Sequence, residues 1–280
     1  MRKFSLAYLT ISGTDPVEQI RIAKEAGYDY VSLRTIPMRL ANEPEFIMEK
    51  DAELFRATKQ ALKEFDMTVH DIELARVRED LDTNFDAAFE KGAELGASNV
   101  LSSIWTKDHA FNVDRCGQIC EKAARFGLTV NLEFMSFAGV CNLKDTIRIL
   151  DDVNAPNLKI MVDTVHAHRA FVTPAEMAEV PAERYGFIHL CDCPKPIPAL
   201  DDPEMIRVAR EARLYVGEGG ADIAGMLRAL PKNPCSIELP NREMVLRHGA
   251  AWHAKRCLDT AKEYFKINNL DYYETCTAQL

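Results

Sequence analysis

The sequence predicts an α/β fold of the TIM-barrel type, a (β/α)8 barrel occupying residues 1–280 as one domain. Two patterns and one absence predict it. Short apolar runs rich in β-branched residues alternate with helical stretches at a spacing of roughly 30 residues. No linker or shift of composition divides the 280 residues, a length near the ~250 of a typical barrel. The G-x-G-x-x-G turn of an open, dinucleotide-binding sheet is missing after the first apolar run.

Residues 3–11 (KFSLAYLTI) read as the first strand. Asp15-Pro16 then opens a helix over 17–26 that Gly27 stops. The second strand, 28–33 (YDYVSL), closes on Arg34, and a long connection with Pro37 and Pro44 leads to a helix near 51–65. The third strand is 68–74 (TVHDIEL), followed by a helix over 84–95 ending at Gly96. Residues 99–104 (NVLSSI) form the fourth strand, with Trp105 just beyond. A helix over 113–126, stopped by Gly127, precedes the fifth strand, 128–134 (LTVNLEF), and a helix over 143–153. The sixth strand is 158–165, with Pro174 starting a helix after it, and the seventh is 187–191 (FIHLC). A proline-rich loop, helices near 204–212 and 221–230, the eighth strand 235–239 (CSIEL) and a closing helix over 242–265 complete the pattern. The polar tail, 268–280, is assigned no structure.

Composition narrows the function before any motif does. Hydrophobic residues make up 47% and charged ones 28%, the balance of a soluble globular protein. A net charge of -9 and the lack of any Lys- or Arg-rich run argue against nucleic acid, whose phosphates need clustered cations. No secretory leader follows Met1, and no apolar stretch nears the ~18 residues of a membrane span. The eight cysteines include Cys116-x3-Cys120 and Cys191-Asp-Cys193 but no second pair at zinc-finger spacing. They read as reduced thiols of a cytoplasmic protein.

Residues 158–169 (LKIMVDTVHAHR) begin as a strand buried on both faces and end in Asp163, His166 and His168, groups able to bind a metal or move a proton. Three other strands finish in the same manner, in Glu133, His189 and Glu238. A barrel delivers its strand ends to one mouth. Three carboxylates there repel one another and are costly to desolvate unless paired, and a divalent cation relieves both. Three carboxylates with one imidazole suit a moderately hard ion: Mn²⁺ foremost, then Mg²⁺ or Co²⁺, with Zn²⁺ and Fe²⁺ also compatible. The alternative is four separate ion pairs with Arg or Lys.

Five motifs give the chain a resemblance: L-E-F-M at 132–135, V-D-T-V-H at 162–166, I-H-L-C-D at 188–192, V-G-E-G-G at 216–220 and S-I-E-L-P at 236–240. Over nearly its whole length the sequence resembles the sugar phosphate isomerase/epimerase superfamily of xylose isomerase-like TIM barrels. That superfamily includes ketose 3-epimerases, endonuclease IV-type enzymes and dehydroshikimate dehydratases. The resemblance implies one divalent metal held by Glu133, Asp163, His189 and Glu238. It also implies that Glu133 and Glu238 carry protons on opposite faces of the substrate, with His166 beside the substrate's oxygens.

The reaction so implied is isomerisation or epimerisation of a sugar or sugar-like acid, by proton abstraction next to a carbonyl through an enediolate. A lyase that follows the same abstraction with loss of a β-substituent, by dehydration or by elimination from a keto-sugar, shares every one of these residues. Two positions depart from the ketose epimerases. Where they carry an arginine six residues after the metal-binding histidine, this chain has Lys195, a point charge rather than a bidentate fork. Where they carry a glutamate six residues after the first ligand, it has Gly139. The endonuclease branch needs a fuller His and Asp set for three zinc ions, and a basic surface. A barrel that only binds a ligand would be expected to have lost a metal ligand, and all four are present.

Further residues are expected around the mouth. Arg34 could hold a carboxylate or phosphate, or form a surface ion pair. Strand alternation sends His70 to one face with Ile72 and Asp71 to the other with Glu73, so Glu73 becomes a substrate contact or the partner of Arg34. Trp105 could stack on a sugar face or pack in the core. His168 and Lys195 are expected at the substrate. Asp192 could orient His189, Gly217, Gly219 and Gly220 could offer N–H groups to an anion, and Glu218 could pair with Lys195 or Arg213. Phe134, Met135 and Phe137 are expected to wall the pocket. The expected partner is a small carbohydrate-like molecule, and a homo-oligomer could form through the closing helix or the tail.

Overall fold

Strand pairing follows the chain. In the computed structural model, which describes residues 2–39 and 44–270, eight parallel strands close into a barrel in sequence order. They are β1 (Phe4–Leu6), β2 (Tyr30–Arg34), β3 (Thr68–Val77), β4 (Asn99–Ile104), β5 (Thr129–Glu133), β6 (Leu158–Asp163), β7 (Tyr185–Leu190) and β8 (Cys235–Ile237). The helices between them are α1 (Pro16–Ala26), α2 (Ala52–Glu64), α3 (Asp86–Glu94), α4 (His109–Arg125), α5 (Leu143–Val153), α6 (Thr164–Arg169), α7 (Pro174–Ala178), α8 (Glu204–Glu211) and α9 (Ile223–Ala229). α10 (Arg242–His248) and α11 (Ala250–Ile267) close the chain. Helix ends obey local chemistry: the Asp15 carboxylate accepts from the N–H groups of Val17 and Glu18, and Gly27 ends α1 at a φ of 91°. Of the expected tail, residues 271–280 lie outside the described residues.

Three expected elements differ. The first strand stops at Leu6, and Tyr8–Ile11 forms a 3-10 turn. There the Thr10 hydroxyl donates to the Ile237 carbonyl and accepts from Leu239 N–H, so a side chain takes over where the ladder ends. The sixth strand stops at Asp163, whose side chain accepts from Val165 and His166 N–H groups, so both histidines that follow are helical. The closing helix is broken at Gly249, at a φ of 90°.

The main apolar core lies between helices and the outer barrel face. A small cluster inside the barrel joins Leu74, Leu101, Met161 and Phe187. Below the mouth, Ser5, Ser32, Ser236 and Asp71 form a hydroxyl–carboxyl layer, with Ser32 donating to Asp71 and lying 2.8 Å from Ser5 and 3.2 Å from Ser236. β3 departs from simple alternation. Its register against β2 runs Val31↔Val69 and then Leu33↔Ile72, one residue longer on β3. This bulge turns both His70 and Asp71 inward: the His70 ring sits 4.9 Å from that of Phe187, while Asp71 takes the Ser32 hydrogen bond. The expected segregation of His70 from Asp71 is therefore wrong.

Candidate metal centre and substrate cavity

Glu133 ends β5, Asp163 ends β6, His189 sits one residue before the end of β7, and Glu238 directly follows β8. Registers Asp163↔His189 and His189↔Ser236 hold these ends level. One shift in this arc lies lower, at Gly186, where a Cβ would stand 1.7 Å from Asn131 Oδ1. Each of the four residues then offers one donor atom, all within 4.8 Å of one another. His189 Nδ1 lies 3.4 Å from Glu238 Oε2, 3.7 Å from Glu133 Oε1 and 3.9 Å from Asp163 Oδ2.

Arg213, which the sequence reading had offered as a partner of Glu218, is the fifth member of the cluster. Its Nη1 donates to Asp163 Oδ2 at 2.6 Å and to the Glu238 carbonyl at 3.0 Å, and its Nη2 lies 2.9 Å from Glu238 Oε2. The side chain is 2% exposed, and Nε is tied to the Ala209 carbonyl at 2.8 Å. Its only signal in the sequence is a lone arginine beside the apolar run before V-G-E-G-G. Three carboxylates against one guanidinium leave a charge of -3 + 1 = -2 when His189 is neutral.

The protonation pattern follows that surplus. Burial opposes an imidazolium at His189, yet the Glu238 and Glu133 carboxylates outweigh it and push its pKa well above the ordinary value. Burial likewise opposes the charge on Glu238, but His189 and Arg213 hold its carboxyl well below the usual range, as Arg213 and His166 hold Asp163. For Glu133 burial prevails and lifts the carboxyl to about 7. Glu133 Oε1 and both ring nitrogens of His189 are buried without a hydrogen-bond partner. Such orphaned donors are expensive unless something positive stands between them, so the residues fit a divalent cation with mixed oxygen and nitrogen ligands.

A narrow funnel of about 60 Å³ opens above this cluster. Its wall includes Arg34, Glu73, Trp105, His166, Glu133 and Glu238. His166 Nδ1 lies 3.3 Å from Ser136 Oγ, its ring meets Phe137 edge-on at 5.3 Å, and burial pulls its pKa down to about 4, leaving a neutral imidazole. Arg34 Nη2 stands 3.5 Å from Glu73 Oε1, with the guanidinium 4.5 Å above the Tyr8 ring. Burial pushes Glu73 up to about 8 against the pull of Arg34. Trp105 donates to Ser103 Oγ at 3.0 Å. Met135 and Phe137 line the funnel as expected, whereas Phe134 packs into the outer core.

His168 and Lys195 are not brought to this cavity. His168 Nε2 faces the Lys195 carbonyl at 3.4 Å, and the Lys195 side chain is exposed on the loop after β7. At Gly139 a Cβ would meet the Thr106 carbonyl oxygen at 2.0 Å, so this backbone has no room for the glutamate of the ketose epimerases. Asp192 does not orient His189. Its carboxylate accepts from the N–H groups of Cys193, Gly217, Gly219 and Ala221, so the chain's own anion fills the glycine turn. Glu218 faces Arg256 at 3.6 Å. A hollow of about 460 Å³ at the opposite end of the barrel is lined by Lys159 and Asn233, both already bonded to backbone carbonyls.

A family model described as the xylose isomerase-like TIM barrel matches residues 20–256. The 3-dehydroshikimate dehydratase of Pseudomonas aeruginosa is 26% identical over 250 residues, 85% of this chain and 38% of that protein. The chain thus spans about two fifths of that curated relative. Among solved structures, the IolI protein with a bound zinc atom superimposes with a TM-score of 0.79 at 18% identity, covering 94% of this chain and 98% of that one. A D-allulose 3-epimerase from Methylomonas sp. in complex with D-allulose gives 0.70 at 18% identity, covering 94% and 97%. At such identities the solved structures establish the fold. Among the described residues no helix is long and apolar enough to cross a membrane.

Proposed function

Because the chain belongs to the xylose isomerase-like TIM barrel family, we propose that it is a divalent-metal-dependent isomerase or epimerase of a sugar-like keto compound. The observation that carries this is geometric: Glu133, Asp163, His189 and Glu238 each offer a donor atom within 4.8 Å of the others, and Glu133 and Glu238 both line the one cavity above them. A carboxyl lifted to about 7 exchanges protons readily at neutral pH, while one held low stays a carboxylate. When bound, a divalent ion held by Glu133, Asp163, His189 and Glu238 supplies Lewis acidity toward a substrate carbonyl and its neighbouring hydroxyl. Mn²⁺ is the first choice, with Mg²⁺, Co²⁺, Zn²⁺ and Fe²⁺ compatible.

Glu238, held as the carboxylate, removes the proton next to the carbonyl, and Glu133, the carboxyl that carries a proton, delivers it to the opposite face. Neutral His166, fixed against Ser136 and Phe137, hydrogen-bonds the developing oxyanion side. Trp105 and Phe137, 6.2 Å apart, flank the carbon skeleton and exclude water. Arg34 and Glu73 contact the far end of the substrate. His168 and Lys195, at the outer loop, take no direct part. Cys116, Cys120, Cys141, Cys191, Cys193 and Cys257 are free thiols, which suits the reducing cytoplasm.

A second reading, a lyase, is favoured by the dehydratase relative and by the apolar stretch of wall at Met38, Leu74 and Leu101. Both readings begin with the same proton abstraction. Metal content by elemental mass spectrometry, beside a Glu238→Gln variant, tests the centre: about one ion per chain is expected, lost in the variant. NMR of keto-sugars and keto-acids in D₂O then tests the chemistry, through deuterium entering a substrate carbon. A new ultraviolet-absorbing double bond selects the lyase. No metal after Mn²⁺ is supplied removes the proposal.

A further inference from the structure

The funnel's upper wall carries a concentration of arginines in a chain whose net charge is -9. Arg34 and Arg210 line it. Arg76 joins them through β3, where Leu74 lines the funnel and the two-residue period puts Arg76 on the same face. Its partner across the ladder is Ser103, whose hydroxyl accepts from the Trp105 indole. Arg76 therefore lies just behind the lining, where its guanidinium donates to the carbonyl of Met38, a residue of the wall.

The counter-charges do not match. Arg78 is held by Asp80 through two contacts, at 2.8 and 2.9 Å, and Arg213 by Asp163 and Glu238. Arg76 is 7% exposed, yet its hydrogen bond goes to the Met38 carbonyl at 3.0 Å, and no carboxylate among the described residues pairs with it. Arg210, exposed on the rim at the end of α8, has no ion pair among them either. After burial, the charges of Arg78, Arg34 and Arg210 bring the pKa of Arg76 down to about 10, against the pull of Asp80, whose carboxylate is already held by Arg78. A near-buried guanidinium whose nearest carboxylate is taken by another arginine is costly to keep, and one set beside further arginines at a cavity mouth is a place for an anion.

We propose that Arg76 and Arg210, with Arg34 behind them, bind an anionic group of the substrate, a carboxylate or a phosphate, at the end remote from the metal ligands. This rests on the funnel being the substrate cavity and names the class of compound that enters it: a sugar acid, keto-acid or sugar phosphate in preference to a neutral sugar. The four acidic and imidazole donors grip the reacting carbonyl end, and the arginines set its distance by holding the other.

Equilibrium binding to the Mn²⁺-loaded full chain tests the inference without requiring turnover. The probes are D-fructose, 2-keto-D-gluconate and D-fructose 6-phosphate, followed by titration calorimetry in wild type and in an Arg76→Met/Arg210→Met double variant. At least one anion is expected to bind about tenfold tighter than fructose. In the double variant that ratio falls to near one, while fructose affinity and melting temperature hold. A merely structural role for Arg76 would weaken neutral and anionic probes together. Whichever anion wins, and whether inorganic phosphate competes with it, separates carboxylate from phosphate. A ratio of one in wild type, a ratio unchanged in the double variant, or no anion binding below about 10 mM overturns the inference. Deuterium exchange that persists alongside such a result leaves the proposed reaction standing, and a preserved anion preference without exchange removes only the reaction.

Discussion

The arc β5–β8 and the arc β1–β4 are built from the same kind of strand and end differently. In β5–β8 the last inward position of each strand carries a metal-type donor, and the registers near the mouth are regular. In β1–β4 the mouth carries Arg34, Glu73, Arg76 and Trp105, and β3 slips register against both neighbours. A cluster of four donors within 4.8 Å demands strand ends in step, whereas a substrate wall needs reach and variety. Bulges supply that variety by aiming adjacent residues into one space.

The largest expected effect separates the arcs directly. Glu133→Gln should lose the metal and drop solvent exchange by roughly 10³-fold or more, whereas Glu73→Gln should keep about one ion per chain and lose on the order of 10- to 100-fold. Metal analysis beside exchange rates reads both, and loss of metal in Glu73→Gln would erase the distinction. Next comes Arg213→Met. Removing the guanidinium leaves two buried carboxylates uncompensated, so unfolding in urea with a chelator present should show about 3–5 kcal/mol of lost stability. A loss under about 1 kcal/mol would mean Arg213 is not what holds them.

A smaller effect belongs to β3. Burial raises Asp71 to about 6 and Glu73 to about 8, above their values in an unfolded chain. Folded protein then binds more protons than unfolded between those limits. The stability they contribute is complete below about pH 4.5 and disappears as pH climbs through 6 to 8. Melting temperature should fall over that window, and the Asp71→Asn/Glu73→Gln variant should flatten the decline. A rise instead would place the titration elsewhere. Smallest of all, His168→Ala and Lys195→Ala should each stay within about 0.5 kcal/mol in stability and about twofold in exchange rate, having no reach into the funnel.

The regular arc was legible in the sequence because counting along an apolar run to its final polar residue works when strands pair without slips. Glu133, Asp163, His189 and Glu238 were found that way, and the eight-strand order with them. The irregular arc resisted. No spacing rule could announce a bulge that turns His70 and Asp71 to one side, so alternation misassigned them. Asp192 was misread because its partners, the N–H groups of Gly217, Gly219 and Ala221, become neighbours only once the loops fold. Arg213 was hidden for a related reason: its counter-ions lie 50 and 25 residues away along the chain, across the barrel mouth.

Arg213 also bears on the order of events in the life of the protein. Its guanidinium and the capping N–H groups of Val165 and His166 already hold Asp163 and Glu238 in place. The barrel can therefore close before any ion arrives, unlike small domains that fold only on binding metal. On the proposed reading, a divalent ion would then be a late and exchangeable arrival at a site that the fold has already built.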